Sequence, residues 1–291
     1  TSSKDLERSM DRVAPNISTG LQQRRFRPST QRVLKPLFAG ITLDPTLSER
    51  FSFADFTWGA MAHGKMVVPK KGIAAVPQQL AQRLIKTTLH LNMKVDSVSQ
   101  HTVVANGERL EFDRVVLATP QHVAAELLPG YSTEHQTVER LTSTLVFSTP
   151  SPPFRKARLL LNERWGEQGH KVLHVHVPTN LHPSSTGQHL VTATLVGEDA
   201  TNPSNEEIQH ELKSWFGQGV HSWNHVLTTT VRHALPHMDP NHHARFLPDA
   251  EVDGVFLIGD HRSHPSVQGA LASAERLLER FKIPLPKKVM T

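Results

Sequence analysis

The sequence predicts a chain of mixed class, α/β and α+β, in which pieces of one open-sheet domain are interleaved with an antiparallel-sheet-plus-helices domain. Three observations carry that expectation. Val255 to Ile258 is a short apolar run of the kind a buried parallel strand needs, closed by Gly259-Asp260 and followed by a helical pattern to Phe281. Asp113 to Pro120 holds a second apolar run, Val115 to Ala118, far away in the chain. Between the two lie short alternating segments at 141–148, 171–177, 189–196 and 226–232, which read as antiparallel strands.

In chain order, residues 1 to 68 read as helical. Val68 to Leu84 reads as a loop and a helix, and Leu91 to Val98 as a strand. Thr102 to Phe112 alternates around Asn106-Gly107, the strongest short hairpin signal. A helix over Val123 to Leu128 ends at Pro129-Gly130. Ser204 with Glu207 forms a capping box for a helix through Phe216, whose Ile208, Leu212 and Trp215 are expected to face the sheet. In the last helix Val267, Ala270, Leu271, Ala274, Leu277, Leu278 and Phe281 recur at three- and four-residue spacing and predict the buried stripe. Gly269 sits in its first turn at a cost of about 1 kcal/mol relative to Ala, so something is expected to approach the backbone there. An acid at a strand end before a helix N-terminus is a seat for a phosphate-bearing or electron-rich ligand.

Composition fits a globular chain of one large domain or two: 291 residues, 37% hydrophobic. No apolar run approaches the roughly 20 residues that cross a bilayer. With zero cysteines, a disulfide, a thiolate metal site and a thiol nucleophile are excluded, which fits an intracellular, cytoplasmic setting and leaves organellar targeting open. The net charge of +5 comes from residues 1 to 40, where Lys4, Arg8, Arg12, Arg24, Arg25, Arg27, Arg32 and Lys35 face only Asp5, Glu7 and Asp11; the remainder carries 24 of each sign. A solvated helical face is the plain reading of this patch; the functional ones are peripheral contact with an anionic membrane surface, an acidic partner or nucleic acid. No RNA-binding module surrounds it, so nucleic acid is not expected.

Nineteen histidines raise a metal hypothesis. His174 and His176 share one face of a strand, but Leu173, Val175 and Val177 supply the buried face and leave the two imidazoles on the wetter one. His237, Asp239, His242 and His243 cluster in sequence without a ligand spacing such as His-Glu-x-x-His, so no metal is expected. No Gly-x-Ser-x-Gly elbow supports nucleophilic hydrolysis, and no catalytic base stands out. Trp58 to His63 reads as core packing, with the lining of an apolar channel as the alternative.

Several of these segments resemble the FAD-dependent amine oxidase superfamily, which includes phytoene desaturase-like and protoporphyrinogen oxidase-like flavoproteins. Gly254 to Asp260 with Ser266 to Ala270 is similar to the family's C-terminal signature. Val68 to Leu84 resembles its "Pro-x-Gly-Gly-x-x-x-Pro-x-x-Leu-Ala" loop and helix, with Lys71 where a glycine is usual, and Asp113 to Pro120 its "Ala-Asp-x-Val-Val-x-Ala-Thr-Pro" strand. Pro36 to Asp44 looks like a "Pro-Phe-Phe-x-Gly-Ile-Phe-Leu" segment, and Trp223 to Pro236 like the strand ending in "Ala-Leu-Pro". The resemblance covers roughly residues 28 to 281. It implies an FAD site in which Val95 lies against the adenine, Asp260 meets the ribityl and diphosphate part, and Gln268, Gly269 and Ala270 open a helix aimed at the flavin pyrimidine ring, with Ala118, Thr119, Gly259 and Ser266 also among the cofactor-binding residues. His261 and His264 lie where the family approaches the flavin.

The family also opens with a strand, a Gly-x-Gly-x-x-Gly turn and a helix. None of the 16 glycines makes that spacing. The expectation is therefore an incomplete FAD-binding Rossmann-like domain: 1–68 the helical part of the substrate domain, 69–129 the middle of the FAD-binding domain, 130–250 the substrate domain proper, 251–284 the last FAD-binding strand and helix, 285–291 a tail. The expected function is that of the C-terminal two-thirds of a flavin oxidoreductase acting on an apolar or amine small molecule. The alternatives are a non-catalytic remnant or subunit that binds a partner, and one chain of a two-chain enzyme whose partner supplies the missing FAD-binding half.

Overall fold

The structure, a computed structural model, describes residues 14–131, 139–237 and 250–283. Lys4, Arg8 and Arg12 of the basic segment, Asp239, His242 and His243, and the tail 285–291 lie outside the described residues. Along the chain run α1 (Ile17–Gln23), α2 (Pro28–Thr42), α3 (Phe51–His63), α4 (Ala75–Gln82), β1 (Val95–Val98), β2 (Thr102–Ala105), β3 (Glu108–Glu111), β4 (Val116–Leu117) and α5 (Gln121–Leu127). There follow β5 (Glu139–Thr149), β6 (Leu159–Leu161), β7 (His174–His176), β8 (His189–Val196), α6 (Asn205–Phe216), β9 (Asn224–Pro236), β10 (Ala250–Val252), β11 (Val255–Leu257) and α7 (Val267–Arg280). The described residues fold into two compact units, one formed by 57–131 and 250–283, the other by 14–56 and 139–237.

The second unit is built on a five-stranded antiparallel sheet in the order β6-β7-β8-β5-β9. Leu145, Phe147, Val175, Val191, Ala193 and Leu195 line one face, and Ile208 and Leu212 of α6 cover it with Trp223. The Ser204 hydroxyl caps α6 by accepting from Glu207 N, as the capping box predicts, while the Glu207 carboxylate turns away to Lys171. Buried Glu211 on the same helix accepts from the main-chain N–H groups of Lys171 and Val172 and from Asn162 Nδ2, which ties α6 to the segment entering β7. A second cluster gathers α1, α2 and the start of α3 around Ile17, Phe38 and Phe51, with Leu173 and Val196.

Charge closes this unit where the chain leaves α2. Asp44 is fully buried, accepts from the N–H and hydroxyl groups of Thr46 and Ser48, and lies 3.1 Å from the guanidinium of Arg140. Burial alone would raise its carboxyl; the hydrogen bonds and Arg140 outweigh burial and hold it below the usual carboxylate range. His237 at the end of β9 reaches Glu49, also buried, at 2.6 Å. The basic face expected in this region is partly neutralised, since Arg24 pairs with Asp55 and lies over the Phe51 ring.

The alternation in β7 is as predicted, with Leu173, Val175 and Val177 buried. The opposite face is drier than expected. His174 meets Gly40 of α2, where a side-chain Cβ would lie 3.5 Å from its Nδ1, and His176 hydrogen-bonds Thr192. Desolvation, with the neighbouring His176, pushes His174 down to about 4, and desolvation also lowers His176. Among the described residues no group of three or more His, Cys, Asp or Glu is placed to hold a metal, and no helix is long and apolar enough to cross a membrane.

The first unit carries two small sheets. β1-β2-β3 is antiparallel, and its β2–β3 turn places Asn106 and Gly107 at φ 50° and 78°, the left-handed pair that the Asn-Gly signal predicts. The other sheet, β10-β11-β4, joins β11 antiparallel to β10 and parallel to β4. Its core is Val115, Leu117, Val255 and Leu257 with Ala124 and Leu128 of α5, and Val98 and Val103 pack onto it from the first sheet.

The buried stripe of α7 differs from the predicted one. Gly269, Ala272, Ser273 and Leu277 are buried, whereas Val267 and Leu271 are exposed. The periodicity is helical, but the inward face is rotated onto the small residues because the helix lies close against the main chain beneath it.

The lowered histidines set a pH dependence. The folded state holds His174 neutral until about pH 4, whereas an unfolded His titrates near 6.5. The unfolded chain therefore binds the extra proton between those values, and stability present above pH 6.5 is lost as pH falls toward 4. Urea unfolding should show this decline, and His174→Gln should flatten it by at most about 3 kcal/mol; an unchanged slope would contradict the buried, neutral His174.

Candidate functional site

The parallel pairing of β4 with β11 brings two chain segments out at the same end of a sheet. Phe256 stands opposite Val116 and Leu257 opposite Leu117, Phe256 N donates to Val115 O at 3.0 Å, and Ile258 N to Leu117 O at 2.9 Å. Ala118-Thr119 and Gly259-Asp260 thus emerge side by side at the carboxyl ends of parallel strands, the position where open α/β sheets bind ligands.

Gly259 has φ 151° and ψ 176°, a conformation open essentially to glycine alone. A Cβ there would lie 2.7 Å from the imidazole of His261 and 3.7 Å from Thr119 O. Its N–H donates to Ser273 Oγ at 2.9 Å, and that hydroxyl donates on to Ala270 O, so α7 clamps the strand end. Asp260 opens a short 3-10 turn and its Oδ1 accepts from His261 N, leaving the carboxylate part-exposed.

The first turn of α7 is fixed with equal closeness. Ser266 caps it, its Oγ accepting from Gly269 N at 3.0 Å and lying 2.9 Å from His264 Nδ1. Gly269 meets the backbone approach that its placement predicts, and the approaching group is this chain's own: a Cβ would come within 2.0 Å of His264 O. His264 is fully buried under that turn; desolvation, then the nearby Arg276, pushes it down to about 4 and keeps it neutral. Arg276 also donates to Arg262 O at 2.9 Å, which fastens the 3-10 turn to α7.

Of the residues predicted from sequence, Ala118, Thr119, Gly259, Asp260, Ser266, Gly269 and Ala270 fall on this strand-end and helix-start assembly. Gln268 is exposed on the same turn. Val95 opens β1 on the separate three-stranded sheet, half-buried and paired with Ala105. Ser273 escaped sequence reasoning; its signal is a polar residue on the small-residue face of α7, one turn beyond Gly269. His264 was legible only as a residue near the site, and its burial follows from the Gly269 contact.

One direct observation is compatible with a polar ligand such as FAD at these groups. Thr119 Oγ1 is buried and has no hydrogen-bond partner among the described residues, so a hydroxyl stands unsatisfied beside the Gly259 bend. Side chains are absent or small at Ala118, Gly259 and Ala270, leaving main chain to meet a ligand.

The family model described as flavin containing amine oxidoreductase matches residues 2–277. A putrescine oxidase solved with putrescine bound is similar at 15% identity and TM-score 0.66, covering 97% of this chain and 74% of its own. A putative protoporphyrinogen oxidase from Exiguobacterium sp. 255-15 is similar at 14% identity and TM-score 0.54, covering 74% of this chain. An oxidoreductase from Methanosarcina mazei is similar at 15% identity and TM-score 0.51, covering 72% of this chain. The chain spans about half the length of the last two, 51% and 54%. At these identities the likeness concerns the fold. No curated protein matches in sequence.

Gly269→Ala tests the close approach. In an ordinary helix the change stabilises by about 1 kcal/mol; here the methyl meets a backbone carbonyl, and urea unfolding should show a loss of about 1–3 kcal/mol. Equal or greater stability in the variant would contradict the packing of α7 on His264.

Proposed function

The chain belongs to the family of flavin-containing amine oxidoreductases, and on that premise we propose that it is the C-terminal two-thirds of an FAD-dependent oxidoreductase that removes two electrons from a C–N or C–C bond of an apolar or amine small molecule. The observation that carries the reading is the unsatisfied Thr119 hydroxyl set beside Gly259 and Asp260 at the ends of two parallel strands. The absence of a Gly-x-Gly-x-x-Gly spacing supports the partial-chain reading, since that turn is the usual cradle for the diphosphate.

Bound flavin would supply the two-electron chemistry, with oxygen or another acceptor regenerating it. The chain's own groups bind and orient. Thr119 Oγ1 would offer a hydrogen bond to the bound cofactor, and the Asp260 carboxylate would accept from hydroxyl groups of its ribityl and diphosphate part. The capped first turn of α7 would offer its positive dipole end to an electron-rich edge of the bound flavin. Neutral His264 holds that turn without adding a competing charge.

The test is flavin retention in the longest natural form of the protein. Asp260→Ala should weaken FAD binding about 10- to 100-fold, the worth of one or two charge-assisted hydrogen bonds, read as flavin absorbance per protein after gel filtration. Undiminished flavin content would remove Asp260 from the site.

A further inference from the structure

Three serines belong to the join between Gly259 and α7, and two of them have partners within it. Ser266 Oγ accepts from Gly269 N at 3.0 Å and lies 2.9 Å from His264 Nδ1. Ser273 Oγ accepts from Gly259 N at 2.9 Å and donates to Ala270 O at 2.7 Å. Ser263 is the exception. It is buried, with 9% of its surface exposed, and its Oγ has no hydrogen-bond partner among the described residues.

The main chain of this turn does not require a hydroxyl at 263. Ser263 N donates to Asp260 O at 2.9 Å, Arg262 N to Gly259 O at 3.1 Å and Ser266 N to His264 O at 2.7 Å, while Arg276 holds Arg262 O at 2.9 Å. The Ser263 side chain takes no part in any of these contacts, and alanine would keep them all. A buried hydroxyl without a partner destabilises the fold that carries it, because the group has lost water and gained no bond in exchange. Thr119 Oγ1, at the end of the neighbouring parallel strand, is in the same condition. Two such hydroxyls, on two segments that leave one sheet at the same end, point to a single polar ligand that answers both.

Resting on the flavin reading above, we infer that Ser263 is a further cofactor-binding residue, whose hydroxyl finds its hydrogen-bond partner in a polar group of bound FAD. That hydroxyl weakens the apoprotein and strengthens the complex. Serine in place of alanine at this position is then a property of the complex and not of the fold. An ordered internal water, or a partner elsewhere in the protein, makes the opposite prediction for the apoprotein, since loss of the hydroxyl would then remove a bond that the fold already has.

The experiment takes the longest natural form of the protein, freed of FAD by dialysis and titrated back, and compares wild type with Ser263→Ala and Ser273→Ala. Melting temperature is read on the apoproteins, and the FAD dissociation constant from the change in flavin fluorescence. Ser273→Ala sets the scale for a serine whose partners lie inside the protein, and it should lower the melting temperature of the apoprotein. The inference predicts that Ser263→Ala leaves that temperature equal or higher while weakening FAD binding about 2- to 10-fold, the worth of one neutral hydrogen bond. A lower apoprotein melting temperature in Ser263→Ala would overturn it. So would FAD binding as tight as in wild type, which removes this role alone and leaves the flavin reading standing. A wild type that takes up no FAD at all brings down the flavin reading and this role with it.

Discussion

The candidate site depends on one contact, the seating of α7 against the end of β11. Gly269 lets the first turn of the helix descend onto the His264 carbonyl, and Ser273 then reaches the N–H of Gly259. With the helix at that depth, its capped N-terminus, the Gly259 bend and Asp260 become one rigid group. Parallel pairing with β4 adds Thr119 to it. A larger residue at 269 would lift the helix, free the Gly259 N–H and loosen every one of these groups. The about 1 kcal/mol that glycine costs inside a helix is offset by the precision of this join.

The two units solve burial differently. In the five-stranded unit the polar groups that fall inside are answered by partners: Asp44 by Thr46, Ser48 and Arg140, Glu211 by two main-chain N–H groups and Asn162. In the other unit, Thr119 Oγ1 is buried without a partner among the described residues, while Met66, Val67, Ile73, Ile85 and Leu91 lie in solvent. A stable fold seldom keeps both defects together. A cofactor held at the strand ends would answer the first.

Local signals were legible wherever a residue type dictates its own geometry. Asn106-Gly107 takes the left-handed conformations its hairpin needs, Ser204 caps α6, and Gly259-Asp260 ends a buried strand. The pairing of β4 with β11 was not legible from either run alone, since nothing in two short apolar segments records their mutual register; the family resemblance assigned both to one site without pairing them. The face of α7 was misjudged because hydrophobicity marks Val267 and Leu271, whereas close approach selects Gly269, Ala272 and Ser273. His174 and His176 were assigned to a wetter face because alternation along a strand says nothing of the helix above it, and α2 brings Gly40 down onto His174. Strand β6 has only three residues and β10 likewise, too few for any period to show.

The central claim is that residues 116–119 and 259–270 together form one wall of an FAD site. Hydrogen exchange followed by mass spectrometry, on the longest natural form of the protein with and without FAD, addresses it directly. The account predicts slower exchange on FAD addition at both segments, with β5, β8 and α6 of the other unit unchanged. Protection confined to other segments, or stoichiometric FAD binding that leaves 116–119 and 259–270 unprotected, would contradict it.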